Sequence, residues 1–253
     1  MKSFLLFWVF MLFARQAFPQ AVLSTVFSYS HSAVSVQTGH EERTLAEGTT
    51  RDFPHFLIQA ITLEANQPTQ PVQQLDEEVI LLVRSGELTL MLGGKHKTLV
   101  PGSVVMVMPG DDYRVENKAS QPLTYYLIRY TSNEMPDLDL YRLLGGSFWA
   151  DWREIAPTTN QQGSSRKLSP YPTIMSDRVA MEFVSINAGM AGQPVHRHRA
   201  AELLLILDHP VQVPIDGAQK EAQVGDLIFI ESDVEHGINP ARPEGCSYVS
   251  VVF

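Results

Sequence analysis

The chain has 253 residues and a formal net charge of -9, with 44% hydrophobic and 19% charged residues. That is enough apolar material for one large core or two of about 100 residues each. The acidic balance, with no cluster of Lys and Arg, argues against nucleic acid as a partner.

In chain order the first element is an apolar run, "FLLFWVFMLFA", after Lys2. It is short for a membrane span and is followed by "RQAFPQA", so residues 1–21 read as an export signal cleaved near Ala17 to Ala21, with an uncleaved membrane anchor as the alternative. The mature chain is then expected to be secreted or periplasmic, with no membrane partner. Next come "FLIQAITL", "VILLVRSGELTLML", "SVVMVMP" and "LTYYLIRY". These are short runs rich in Val, Ile, Leu and Tyr, separated by Gly, Pro, Asn and Asp, and they predict strands. The segment 131–177 reads as a joiner. In it, "MPDLDLYRLLGG" predicts a short helix, "TTNQQGSSRKLSPYP" an exposed loop, and Trp149 and Trp152 packing between halves. The last part returns to strands: "VAMEFVSI", "LLLILDHPVQVPI", "DLIFIE" and "YVSVVF". Cys246, the single cysteine, rules out an intramolecular disulfide and reads as a buried structural thiol.

The two strand-rich parts are copies. A shift of 123 positions brings Gln70-Pro71-Val72 onto Gln193-Pro194-Val195, Gly102 onto Gly225, and "GSVVMVMPGDDY" onto "GDLIFIESDVEH", with no gap. A period this long indicates two β domains rather than a solenoid. The expected division is 22–130 for the first, 131–177 for the joiner and 178–253 for the second.

Chemistry concentrates in the second copy, at "QPVHRHRAAE". Residues two apart in a strand share a face, so His196 and His198 point together, and Glu202 keeps that parity if the strand continues. His236 arrives from another strand. Three imidazoles and a carboxylate converging inside a barrel suit a transition metal with open positions left over. The first copy has Gln73, Leu75, Val79 and Tyr113 at these four places and is expected to be metal-free. Its "DEE" run, Asp76 to Glu78, reads as a solvated strand entry. His31, His40, His55 and His96 read as surface or loop residues, and His209 as a substitute for a turn glycine. Glu182 is a further inward-facing candidate by strand parity.

These positions resemble the two cupin motifs. His196, His198 and Glu202 fall on the ligand places of the first motif, and Gly225 and His236 on the second. The resemblance implies an all-β chain of two tandem cupin barrels of the jelly-roll-like, double-stranded β-helix kind. Metal ligands would be His196, His198, Glu202 and His236, around a divalent transition metal. Manganese comes first, with iron, zinc or nickel as alternatives. The joiner "GGSF-x-x-DW", Gly145 to Trp152, and a metal set confined to the second barrel are similar to (S)-ureidoglycine aminohydrolase-like proteins. That family releases ammonia from a small ureido acid. Its metal motif, Glu-x-His-x3-His with a downstream Gln, is matched here only at His198. The implied partner is a small-molecule substrate, with the chain a monomer or homo-oligomer. The alternatives are a dioxygenase on the same ligands, or a binding module without turnover.

Overall fold

The computed structural model describes residues 20–67, 69–132, 139, 142–143, 146–169, 173 and 179–253. The expected export signal and the expected helix over 135–146 lie largely outside the described residues. The first copy contains β1 (Thr25–Phe27), β2 (Val34–Gln37), β3 (His40–Gly48), β4 (His55–Leu63), β5 (Glu78–Ser85), β6 (Leu88–Leu92), β7 (Lys95–Leu99), β8 (Val104–Val107), β9 (Tyr113–Glu116) and β10 (Leu123–Thr131). The joining segment adds β11 (Phe148–Ala150), β12 (Thr158–Thr159) and β13 (Gly163–Lys167). The second copy contains β14 (Ala180–Ile186), β15 (Gln193–His196), β16 (Glu202–Ile206), β17 (Val211–Ile215), β18 (Ala218–Ala222), β19 (Leu227–Ile230), β20 (His236–Pro240) and β21 (Cys246–Val252). β6 and β17 obey the 123-residue offset end to end, as do β7 and β18.

Each half is a large sheet facing a small one. The first half pairs β11-β8-β5-β10-β4-β3-β2 with β7-β6-β9. The second pairs β1-β19-β16-β21-β14-β13-β12 with β15-β20-β17-β18. β5, "EVILLVRS", shows why its run is apolar throughout rather than alternating. Val79, Leu81 and Val83 face the interior of the first barrel, whereas Ile80 and Leu82 face a second core shared with the other half. A strand buried on both faces has no polar side to present.

The shared core joins the halves. Phe56 of β4 packs on Phe229 of β19 with ring centroids 4.8 Å apart, and Phe253 packs on Phe53 at 5.1 Å and on Tyr130 at 5.0 Å. Trp152 bridges as its sequence position suggests. Its indole N–H donates to the Pro101 carbonyl at 2.9 Å, and its ring stacks on Phe183 at 4.3 Å. Trp149 instead packs against the interior of the first barrel. The "GGSF-x-x-DW" segment is therefore a clamp. Asp151, almost wholly buried, caps the turn through Arg153 N–H at 3.0 Å, and Ser147 Oγ donates to Asp111 at 2.6 Å.

The halves also exchange edge strands. β1 pairs with β19 of the second half, Thr25 opposite Phe229, while β11 pairs with β8 of the first, Phe148 opposite Met106. Adding 123 to β1 gives β11, and adding it to Met106 gives Phe229. The leading strand of each copy thus completes the sheet of the other copy, or of the one before it, at the same register. Sheet membership consequently crosses the divisions expected at 22–130, 131–177 and 178–253.

Gly102 and Gly225, equivalent by the offset, mark the tightest approach between halves. Both have positive φ, +86° and +83°, and a Cβ on Gly102 would lie 2.8 Å from the Phe183 ring. A Cβ on Gly225 would collide with the Arg84 guanidinium. Gly102→Ala is expected to cost about 1–3 kcal/mol, from the left-handed backbone and the displaced ring together. The urea midpoint of the full chain measures it.

Four expectations need correction. "TTNQQGSSRKLSPYP" is not a loop throughout, because β12 and β13 lie in it and β13 pairs with β14. Its polar side chains sit near the sheet edge, where one strand face meets water. "DEE" is not a solvated entry. Glu77 pairs with Arg129 and His55, and Glu78 is fully buried, accepting hydrogen bonds from Tyr130 and from Thr173 at 2.9 Å. Glu78 lies on the shared-core face of β5, with Ile80 and Leu82, and points away from the interior of the first barrel. His40 and His55 are half-buried strand residues, although His31 and His96 are exposed.

Candidate metal centre

β15 ends at His196, where the chain meets the start of β20, and His196 and His236 stand opposite each other across that pair. His198 lies beyond the strand. It is held by a backbone bond in which Asp233 N–H donates to the His198 carbonyl at 2.8 Å. Glu202 opens β16, so the strand does not continue from His196 to Glu202 as the parity argument assumed. The turn between them achieves the same convergence. Ligand nitrogens of His196, His198 and His236 all lie within 4.8 Å of one another. Their ring centroids are 5.6 Å (196 to 198), 4.6 Å (196 to 236) and 5.0 Å (198 to 236) apart. Glu202 Oε2 is 3.1 Å from His236 Nε2 and 3.6 Å from His198 Nε2. The structure brings all four expected residues together.

Hydrogen bonds set the imidazole tautomers. Nδ1 of His196 donates to the Pro194 carbonyl at 2.9 Å, and Nδ1 of His236 to the Val234 carbonyl at 2.8 Å. With Nδ1 as donor, a neutral imidazole offers its Nε2 lone pair, the form that ligates metals. For His236 that lone pair faces a carboxylate oxygen across 3.1 Å. Two lone pairs so placed repel unless a proton or a cation stands between them. The donor set therefore fits a cation. In the metal-free form burial alone would raise the Glu202 pKa, but hydrogen bonds from proton-bearing His198 and His236 and from the Ser250 hydroxyl outweigh it and hold the group at about 2. Its negative charge is thus kept at any ordinary pH. The same pairing with Glu202 raises the pKa of His198.

The first half braces this site. Asp52 accepts from the Ser232 hydroxyl at 2.6 Å, Arg51 donates to the Ser232 carbonyl at 2.6 Å, and Ser24 accepts from Glu231 N–H at 2.9 Å. These bonds fix the β19–β20 turn that delivers His236.

At the equivalent places in the first half, Gln73 and Tyr113 form an isolated bridge, the counterpart of His196 opposite His236. The backbone of the site survives there without its ligands. Among the described residues, the one grouping of three or more His, Cys, Asp or Glu suited to a metal is the one in the second half.

No protein-family model matches the chain, and no curated protein matches it. Solved structures do. Protein Ylba from E. coli superposes with a TM-score of 0.69 at 16% identity, over 94% of this chain and 94% of its own. Oxalate decarboxylase from Lactobacillus farciminis, in a formate complex, gives 0.67 at 12%, over 92% of this chain and 87% of its own. AerE from Microcystis aeruginosa gives 0.66 at 14%, over 93% and 97%. The chain has the two-barrel cupin fold. At these identities the likeness is one of fold.

Within this bicupin, sequence reasoning missed Ser250. Its hydroxyl donates to Glu202 Oε1 at 2.6 Å from β21, 48 residues away, and a serine in a largely apolar strand carries no motif. Ser250→Ala is expected to weaken metal binding about 10–100-fold, the usual loss when a ligand's outer hydrogen bond is removed. Competition against a chelator measures it. Glu182 does face inward. With Gln193 and Tyr248 it lines a cavity of about 250 Å³ in the second barrel. Burial raises the Tyr248 pKa, and Glu202 and Glu182 add to the rise, so its phenol stays protonated and available as a donor. His209 sits apart from the centre, 3.4 Å from Asp208. Cys246 is buried, its thiol pushed up to about 12 by burial, which makes it an inert core residue.

Proposed function

We propose that this bicupin holds a divalent transition metal at His196, His198, Glu202 and His236 and uses it on a small organic acid or amide. The observation that carries the reading is the convergence of three imidazoles on a carboxylate, with His196 and His236 held as Nε2 ligands by backbone carbonyls. When bound, the ion would act as a Lewis acid on a carbonyl or carboxylate oxygen. His236 and Glu202 are buried and form the floor, while His196 and His198 are part-exposed and leave the solvent side open for a ligand. Arg197 and Arg199 are exposed on either side of His198, and their charge favours approach of an anion. In the neighbouring cavity Tyr248 would donate to the far end of the substrate and Glu182 would accept from it.

Manganese is the first choice of metal, since Mn(II) centres are named for the oxalate decarboxylase of Bacillus subtilis, a solved structure of similar fold. Iron, zinc and nickel suit the same ligands. Two reactions are proposed: release of ammonia from a ureido acid or amide, and release of carbon dioxide from a dicarboxylic acid. The second draws on the oxalate decarboxylase likeness. Export through residues 1–21 is part of the reading and places the reaction outside the cytoplasm. The test supplies manganese-loaded protein with ureidoglycine, ureidoglycolate and oxalate, and measures ammonia and carbon dioxide. Turnover lost in His236→Ala supports the enzyme. No product from any of the three favours a binding module and overturns the catalytic reading.

A further inference from the structure

The first barrel has lost its metal ligands but keeps a cavity of about 250 Å³. Ile61, Leu75, Val115 and Leu127 supply apolar walls. Its arginine is already paired. Arg129 donates to Glu77 through Nε at 2.7 Å and Nη2 at 2.5 Å, His55 pairs with the same carboxylate, and Gln59 donates to Glu42 at 2.5 Å. His40 stands 3.9 Å from Glu42.

Two phenols are left over. Tyr113 and Tyr125 line the cavity and are 3% and 6% exposed, and neither hydroxyl has a hydrogen-bond partner among the described residues. Buried tyrosines ordinarily find a partner for the O–H. Here both line the same half-open pocket, Tyr113 at the place His236 occupies in the second barrel and Tyr125 at that of Tyr248. Burial pushes the Tyr113 pKa up to about 12, so it is a donor throughout the working range. The uncompensated carboxylate charge nearby belongs to Glu42, since Arg129 is taken by Glu77, and it disfavours an anion.

We propose that the first barrel is a second, metal-independent binding site for an uncharged small molecule. Its apolar body lies against Leu75 and Leu127, and its single carbonyl or hydroxyl oxygen accepts from Tyr113 and Tyr125. The space suits a molecule of benzene-ring size, since a cavity of about 150 Å³ already holds benzene. The site stands whether or not the second barrel is catalytic.

Benzamide tests it, titrated calorimetrically into the full manganese-loaded chain beside toluene and benzoate. Wild type and His236→Ala should bind benzamide equally, and more tightly than either other probe. Tyr113→Phe and Tyr125→Phe keep the ring and the packing, and each should weaken binding about tenfold. Far-UV circular dichroism checks that both variants are folded. The proposal is overturned by no benzamide binding up to its solubility, by loss in His236→Ala, by unchanged affinity in both phenylalanine variants, or by benzoate binding tighter than benzamide.

Discussion

His236→Ala is expected to weaken metal binding by about 100-fold or more, beyond the range seen when only an outer hydrogen bond of a ligand is lost. His236 is the hub of the centre. It is buried, its Nδ1–H is tied to the Val234 carbonyl, and its Nε2 lies 3.1 Å from Glu202. Removing it takes away one ligand and leaves Glu202 with a weaker set of donors. The remaining imidazoles, His196 and His198, are part-exposed and cannot enclose an ion by themselves. The difference from wild type should narrow as pH falls, because protons compete with metal for imidazole nitrogen and the wild type has one more imidazole to deprotonate. The pairing with Glu202 raises the pKa of His198, so in the apo protein this residue takes its proton at a higher pH than a free histidine. Metal affinity should therefore decline with acidification first through the imidazoles. Glu202, held at about 2, stays charged throughout that decline. Chelator competition at several pH values measures both effects. Equal affinity in wild type and variant would remove His236 from the centre.

Phe56→Ala is expected to destabilise the whole chain by about 3–5 kcal/mol, the range for a buried phenylalanine. Phe56 is fully buried and touches both halves. Its ring lies 4.8 Å from Phe229 and 5.5 Å from Phe53, in a core that continues to Tyr130 and Phe253. A cavity here cannot collapse without moving two sheets. For a chain of this size the loss corresponds to a fall in Tm of roughly 10 °C. The exchanged strands β1 and β11 and the shared core make one cooperative unit, so a single transition is expected by fluorescence and by circular dichroism. Two separated transitions, or a loss under about 1 kcal/mol, would show that the barrels fold independently of this contact.

The repeat was legible because its offset needs no gap, and it located the site before any geometry was known. Gln73 opposite Tyr113 and His196 opposite His236 are the same backbone pair in two copies. The four converging residues were legible for the same reason. The route was not. His198 and Glu202 reach the centre by a turn rather than a continuous strand, and parity happens to give the same side. The exchange of β1 and β11 left no local trace, since three-residue edge strands carry no periodicity and their partners are far away in sequence, Thr25 opposite Phe229. Glu78 was misread because β5 is apolar on both faces, and periodicity cannot tell a barrel interior from an interface when neither face meets water. Ser250 and the two phenols of the first barrel depend on contacts across strands, which composition does not encode.

The central claim is that one barrel of the two carries metal. Elemental analysis of the purified full chain, with manganese, iron, zinc and nickel quantified against protein, tests it most directly. The expected result is one transition-metal ion per chain in the wild type and close to none in His196→Ala. A wild-type chain that carries no metal after loading with each of the four ions, or a His196→Ala chain that keeps a full equivalent, would contradict the account.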